Sequence, residues 1–171
     1  MTEIALILDN IRSAHNVGAI LRSADVFAVS TIYSVGITPY PAIKNDTRLP
    51  HIREKNTILI AKTALGAERT INLEHYNVIE EIVDKLKKKG WYVFGLEQHN
   101  DSIPIGEAII EGSTAVIIGN EVNGLESKTI ALCDKIIEIP QFGKKESLNV
   151  SVATGIALYQ IRSKTYPQSK S

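Results

Sequence analysis

Along this chain, short β-branched apolar runs alternate with stretches whose apolar residues are spaced for a helix. The runs at residues 4–8, 31–35, 91–96, 114–118 and 135–139 are almost continuously apolar, the pattern of parallel strands covered on both faces. Over residues 16–27 the spacing becomes helical: Val17, Ile20, Leu21, Ala24 and Phe27 share a face, and Asn16 stands at the expected N-cap. Over residues 78–89, Val78, Ile79, Ile82, Val83 and Leu86 line up in the same way, and Gly90 ends the helix. A last helix is expected over residues 149–163 through Val150, Ala153, Ile156 and Ala157, followed by a polar tail from residue 164. This alternation predicts an α/β fold: a mainly parallel sheet flanked by helices, in a single domain over residues 1–171. Residues 36–53 break the pattern. They hold three of the six prolines and little apolar periodicity, and read as a long functional loop.

Composition narrows the class without choosing the function. With 44% hydrophobic and 22% charged residues, the chain is neither a disordered polyampholyte nor a collagen nor a disulfide scaffold. Lys plus Arg and Asp plus Glu both total 19, and a net charge of zero on its own favours a small-molecule enzyme over a nucleic-acid binder. The distribution changes that picture. Residues 44–69 carry six basic residues against three acids, and residues 70–111 carry four lysines against eight acids. Neutrality is therefore the sum of a basic part and an acidic part. The start of the chain has no basic region before its apolar run, no apolar stretch is long enough for a membrane helix, and the single Cys133 cannot form an internal disulfide. A cytoplasmic protein with no membrane partner is expected.

Several familiar sites are missing from the sequence. It has no dinucleotide glycine fingerprint, no P-loop and no nucleophile elbow. His15, His51, His75 and His99 are too scattered for a zinc site, so no metal is expected, and Cys133 reads as a small packed residue. What stands out is polar density at three element ends: NIRSAHNVGAILR at residues 10–22, GNEVNGL at 119–125, and IPQFGKKESLN at 139–149. All three fall where a strand hands over to a helix or loop, the edge at which open α/β sheets bind ligands.

In order and content these blocks resemble the motifs of the SpoU (TrmH) family of RNA ribose 2′-O-methyltransferases, in the SPOUT class. The first matches as Asn10-x-x-Ser13-Ala14-x-Asn16-x-Gly18-Ala19-Ile20-x-Arg22, and the second as Ile118-Gly119-Asn120-Glu121-x-x-Gly124-Leu125. The third matches as Ile139-Pro140-x-x-Gly143-x-x-x-Ser147-Leu148-Asn149-Val150-Ser151-x-Ala153, and residues 62–68 look like the segment between the first and second motifs. The resemblance implies a C-terminal deep trefoil knot, which periodicity could not reveal because chains as a rule do not knot. It also implies a homodimer packed through the first and last helices, and S-adenosylmethionine as the methyl donor, with S-adenosylhomocysteine as product. The family's donor site maps onto Leu96, Glu97, Gln98, Gly119, Asn120, Ile139 and Leu148. Its catalytic set maps onto Asn16, Arg22, Glu121, Ser147 and Asn149.

A guanidinium hardly ever deprotonates, so Arg22 reads as a clamp for phosphate and developing oxyanion charge, with the proton acceptor left open. Each residue also has a plainer explanation. Asn16, Ser147 and Asn149 occupy cap positions, Arg22 could pair with Asp25, and Gly119, Gly124 and Gly143 could simply make turns. Unlike larger relatives, the chain starts its first strand near Met1, with no N-terminal RNA-binding extension expected. RNA contact then falls to the basic segment with Lys44, Arg48 and Arg53, and to Lys144 and Lys145. Competing readings are a non-catalytic RNA-binding protein and a methyltransferase for small molecules or proteins. The sequence leaves tRNA and rRNA equally open as the acceptor.

Overall fold

The computed structural model describes residues 2–165. The polar tail expected from residue 164 falls outside them from residue 166 onward. Seven strands form one sheet: β1 (Ile4–Asp9), β2 (Thr31–Val35), β3 (Asn72–Tyr76), β4 (Tyr92–Leu96), β5 (Ile103–Pro104), β6 (Thr114–Ile118) and β7 (Lys135–Glu138). They run in the order β3-β2-β1-β6-β4-β7-β5, and every pairing is parallel. The helices are α1 (Ala14–Val26), α2 (Pro50–Ala64), α3 (Ile79–Lys87), α4 (Ser127–Ile130) and α5 (Val150–Thr165).

The period-2 alternation of β1 divides the core. Ile4, Leu6 and Leu8 face a layer containing Val17, Ile20 and Leu21 of α1, Ile60 of α2, and Leu158 and Ile161 of α5. Ala5 and Ile7 face the opposite layer with Ile79, Ile82, Val83 and Leu86 of α3. All six residues of β1 are buried, as are all five of β6, which is why these strands read as unbroken apolar runs.

Strand order and register position the site. The chain builds outward from β1 through β2 to β3, and then places β6, β4 and β7 on the other side of β1. Such a reversal opens a crevice at the carboxyl ends of the strands. Leu8 pairs with Ile118, Ile118 with Leu96, and Leu96 with Ile137, so four adjacent central strands end at one level. The three polar blocks all leave the sheet from this edge.

The structure departs from the sequence pattern in several places, the short β5 and α4 among them. The irregular segment ends at residue 49, because Pro50 opens α2 at its first turn, where a missing N–H costs nothing. Only Ile60 and Ala64 of that helix are buried, while Ile52 and Ile58 stay exposed, so its apolar periodicity is weak. Asn16 is not the cap of α1: Ser13 is, its hydroxyl accepting from the Asn16 N–H at 3.2 Å. β3 is a polar edge strand with no buried residue, and no apolar run marks it in the sequence.

Gly18 is explained by packing. A Cβ there would collide with the Ile60 carbonyl oxygen and the Thr63 hydroxyl of α2, which itself donates to the His15 carbonyl at 2.8 Å. Gly18→Ala should destabilise the fold by about 1–3 kcal/mol through overpacking. Gly106→Ala, where a Cβ meets nothing within 4 Å, should leave the thermal midpoint nearly unchanged. Thermal unfolding of the two variants beside the parent checks the contrast.

Candidate active site

A cavity of about 540 Å³ opens at the carboxyl ends of β4, β6 and β7. Leu96, Glu97 and Gln98 enter it from the end of β4, Gly119 and Asn120 from the end of β6, and Ile139 and Leu148 from the segment leaving β7. Asn16, Glu121, Ser147 and Asn149 complete the wall. The fold thus gathers all seven residues mapped to the donor site, and four of the five mapped to catalysis, around one space. Among the described residues its lining includes Glu97, Glu121, Glu138 and Glu146 and no Lys, Arg or His. A cavity of this charge favours a cationic ligand over a phosphate.

The turn after β6 is held closed from within and without. Asn120 and Gly124 form an antiparallel bridge, and the Asn120 Oδ1 accepts from the Val122 N–H at 2.9 Å. The Asn120 amide donates to the Asn10 carbonyl at 2.8 Å, tying the turn to the end of β1. Glu97 clasps it from β4: one carboxylate oxygen accepts from the Leu125 N–H at 2.7 Å and the other from the Gln98 N–H at 2.9 Å. Gly124 has φ +64° and faces the Glu97 carboxylate where a Cβ would stand, and a Cβ on Gly119 would meet the Gly124 backbone. Both glycines are required by close approach.

Glu121 joins this turn to α1. Its carboxylate accepts from the Arg12 N–H at 2.9 Å, the Ser13 N–H at 3.1 Å and the Asn16 side-chain amide at 3.0 Å. Burial alone would push the Glu121 carboxyl up, but these donors together outweigh it and hold it below the ordinary value. The Asn16 Oδ1 in turn accepts from the Asn149 amide at 3.3 Å. The Asn149 Oδ1 accepts from the Ser151 N–H at 2.8 Å and so caps α5. Asn149 therefore serves as a cap and as a member of the network at once.

The remaining site residues lie apart. Arg22 is exposed and lines a second, shallow cavity of about 500 Å³ with Lys62, Thr63 and Leu65. It does not pair with Asp25, whose carboxylate accepts from the Thr70 hydroxyl at 2.8 Å. Six residues along α1 separate it from Asn16, a rise of about 9 Å. Arg48 is turned inward. It donates to both Asp46 carboxylate oxygens and to the Tyr40 and Pro41 carbonyls, and lies over the Tyr40 ring at 3.4 Å. The Arg48 hydrogen bonds hold the Asp46 carboxyl down to about 2. Its guanidinium organises the loop and has little left for a phosphate. Arg53 is half-buried, with one donor on the Asp46 carbonyl at 3.4 Å, while Lys44, Lys144 and Lys145 are exposed. Cys133 is packed, and burial pushes its thiol up to about 12, far from a nucleophile. Among the described residues no three His, Cys, Asp or Glu side chains converge as a metal site.

The SpoU rRNA Methylase family model matches residues 3–159. The chain belongs to that family. It is 32% identical over 164 residues to the 23S rRNA (guanosine-2′-O-)-methyltransferase RlmB of Coxiella burnetii, covering 93% of this chain and 58% of that protein. Identity to the RlmB of Vibrio vulnificus is 33% over 159 residues, covering 92% of this chain and 58% of the relative. The AdoMet-bound rRNA methyltransferase of Sinorhizobium meliloti superposes with a TM-score of 0.79 at 25% identity, covering 94% of this chain and 56% of that one. The chain thus spans a little over half the length of these SpoU relatives.

The position of Glu121 yields a stability prediction. A carboxylate held below the ordinary glutamate value of 4.5 stabilises the fold above that pH, and the contribution is lost as pH falls through the lower folded value. Glu121→Gln, which leaves one carbonyl oxygen for three donors, should lower the thermal midpoint at pH 7. It should also remove this part of the acid destabilisation. Thermal midpoints of both proteins between pH 3 and 7 check it.

Proposed function

We propose that this chain is an S-adenosylmethionine-dependent RNA methyltransferase that transfers a methyl group to a ribose 2′-hydroxyl of tRNA or rRNA. The observation that carries the reading is the acidic cavity at the sheet edge, with the Asn16–Glu121–Asn149 network on its wall. The names of the relatives, 23S rRNA 2′-O-methyltransferases and an AdoMet-bound rRNA methyltransferase, point the same way.

The residues fit the donor. The cavity volume suits a nucleoside-sized ligand. Leu96, Ile118, Ile139 and Leu148 offer apolar surface, and the turn at Gly119 brings bare backbone to the cavity wall. The surrounding carboxylates favour the positive charges of a sulfonium and an amine. Bound there, S-adenosylmethionine supplies an electrophilic methyl group on sulfur. The protein's part is alignment of the incoming oxygen and removal of its proton. Asn16, Ser147 and Asn149 orient the acceptor ribose from the rim, and Glu121 fixes Asn16. The Glu97 carboxylate accepts from two backbone N–H groups and so holds the turn in shape while also lining the donor cavity.

Arg22 stands outside the cavity of its own chain, and this supports a homodimer in which each site is completed by the other copy. Val26 on α1 and Val152, Ile156 and Tyr159 on α5 form an exposed apolar surface suited to such a contact, and Arg22 lies one turn from Val26. In the dimer Arg22 clamps the acceptor phosphate and stabilises charge developing on the attacking oxygen. A trefoil knot in the C-terminal part, with residues 139–149 drawn against residues 119–125, belongs to the same reading. No helix among the described residues is long and apolar enough to cross a membrane, and the reading needs none.

The decisive experiment combines labelled-methyl incorporation into total RNA with mapping of 2′-O-methyl positions in the presence and absence of the protein. Incorporation into tRNA or rRNA at a mapped ribose is expected; RNA binding without incorporation would favour a non-catalytic role. Arg22→Ala should reduce methyl transfer at least 100-fold, roughly the scale of removing one oxyanion donor, while the Kd for S-adenosylmethionine stays within about twofold. Loss of donor binding would overturn the assignment of Arg22. Because Arg48 is committed to its loop, the RNA-contact test falls on Lys44 and Arg53. Reversing both to Glu should weaken RNA binding and flatten its salt dependence by about 0.7 for each phosphate no longer neutralised, with donor affinity unchanged.

A further inference from the structure

Phe142 is the most exposed large apolar side chain among the described residues, at 98%. It lies in the irregular segment between β7 and α5, where residues 140–149 are all exposed. Gln141 and Glu146 line the cavity and the four residues between them do not, so the chain leaves the wall after Gln141 and returns at Glu146, an arch joined to the cavity wall at both ends. Lys144 and Lys145 stand on the same arch, and among the described residues neither makes an ion pair or a side-chain hydrogen bond. An isolated aromatic ring held in water costs free energy, and none of the described residues covers this one.

Gly143 adds a second observation. Its backbone lies outside the left-handed region and a Cβ there would meet nothing within 4 Å. Neither conformation nor packing asks for glycine, unlike Gly119 and Gly124. The fold leaves bare backbone directly beside an exposed ring, a surface against which a flat group can lie.

Resting on the RNA-methyltransferase reading, we propose that Phe142 is an RNA-binding residue that stacks on an unpaired nucleobase near the methylated ribose, with Lys144 and Lys145 contacting the flanking phosphates. Every base offers a π-face to an aromatic ring, and stacking is the usual way proteins hold unstacked single-stranded bases. The charge pattern separates RNA from a second copy of the chain as the occupant. Lysines are depleted at the centre of protein–protein interfaces, where their charge must be desolvated, but next to a phosphate they are neutralised. The acidic cavity and the basic arch divide the work: the cation-favouring pocket disfavours phosphate, and the arch holds the polyanion beside it.

The test uses the full chain and two readouts: the Kd for a fluorescein-labelled single-stranded RNA by anisotropy, and the KM for RNA in methyl transfer. Phe142→Ala and Phe142→Leu should each raise both about tenfold or more, the scale of one base stack, whereas Phe142→Tyr should stay within about twofold. The Kd for S-adenosylmethionine, the thermal midpoint and the sedimentation coefficient should not change. Equal RNA affinity in Phe142→Ala and the parent would overturn the proposal. So would Phe142→Leu binding as well as Phe142→Tyr, which would make the contact merely apolar. A slower-sedimenting Phe142→Ala would assign the ring to an interface between copies and also sink it. If the parent binds RNA but transfers no methyl group, the enzymatic reading fails alone, and the Kd series still decides the role of Phe142.

Discussion

The Glu121 carboxylate is the contact on which the geometry of the site depends. It reaches from the turn after β6 to the chain entering α1, bridging 108 residues of sequence to collect the Ser13 N–H, and it takes the Arg12 N–H and the Asn16 amide as well. Three donors on one carboxylate set the distance and the angle between two polar segments that otherwise meet only through flexible side chains. Without it, the start of α1 keeps its Ser13 cap but loses its registration against the cavity. The second link, from Asn16 to Asn149, carries that registration on to the N-terminus of α5. Three helix or loop starts are thereby fixed to one another around a space that the sheet alone would leave open.

Charge is then separated by architecture. Among the described residues the cavity is lined by four acidic residues and no cation, while Arg22, Lys44, Lys62, Lys144 and Lys145 stand exposed outside it. A chain with zero net charge can thus present a small site suited to a positive group and an outer surface suited to a polyanion. Net charge describes neither. Arg48 marks the limit of reading charge from residue counts: it contributes to the basic total of its segment, yet its guanidinium is folded onto Tyr40 and Asp46 and serves the loop.

The elements legible in the sequence are those whose environment is uniform. β1 and β6 are buried along their whole length, so they read as apolar runs, and α3 shows one clean apolar face against the sheet. α2 and β3 are not legible, because one buries only two side chains and the other none. The three polar segments of the site stand out because turns and caps need the same residue types that bind ligands. Their roles are only half readable. Ser13 takes the cap expected of Asn16, which leaves the Asn16 side chain to donate to Glu121 and to accept from Asn149, and that exchange depends on where β6 ends relative to α1. Glu97 likewise reads as a ligand contact, but its main partner, the Leu125 N–H, lies on a different strand connection and becomes visible only in the folded chain.

The glycines carry the same distinction further. Gly18 lets α2 approach α1, and Gly119 and Gly124 let the turn after β6 close under the Glu97 carboxylate. In each case a neighbour in the chain occupies the room a side chain would need, so the fold itself accounts for the residue. At Gly143 no such neighbour exists among the described residues, and the backbone there adopts a conformation open to other residues. A glycine that the fold requires says little about ligands. Gly106 is equally unconstrained, so at Gly143 it is the bare aromatic ring and the two exposed lysines beside it that direct attention to what lies outside the chain. In the proposed reading, RNA contact therefore falls to this arch beside the cavity, while Asn16, Glu97, Asn120 and Glu121 within it are engaged in holding the site together.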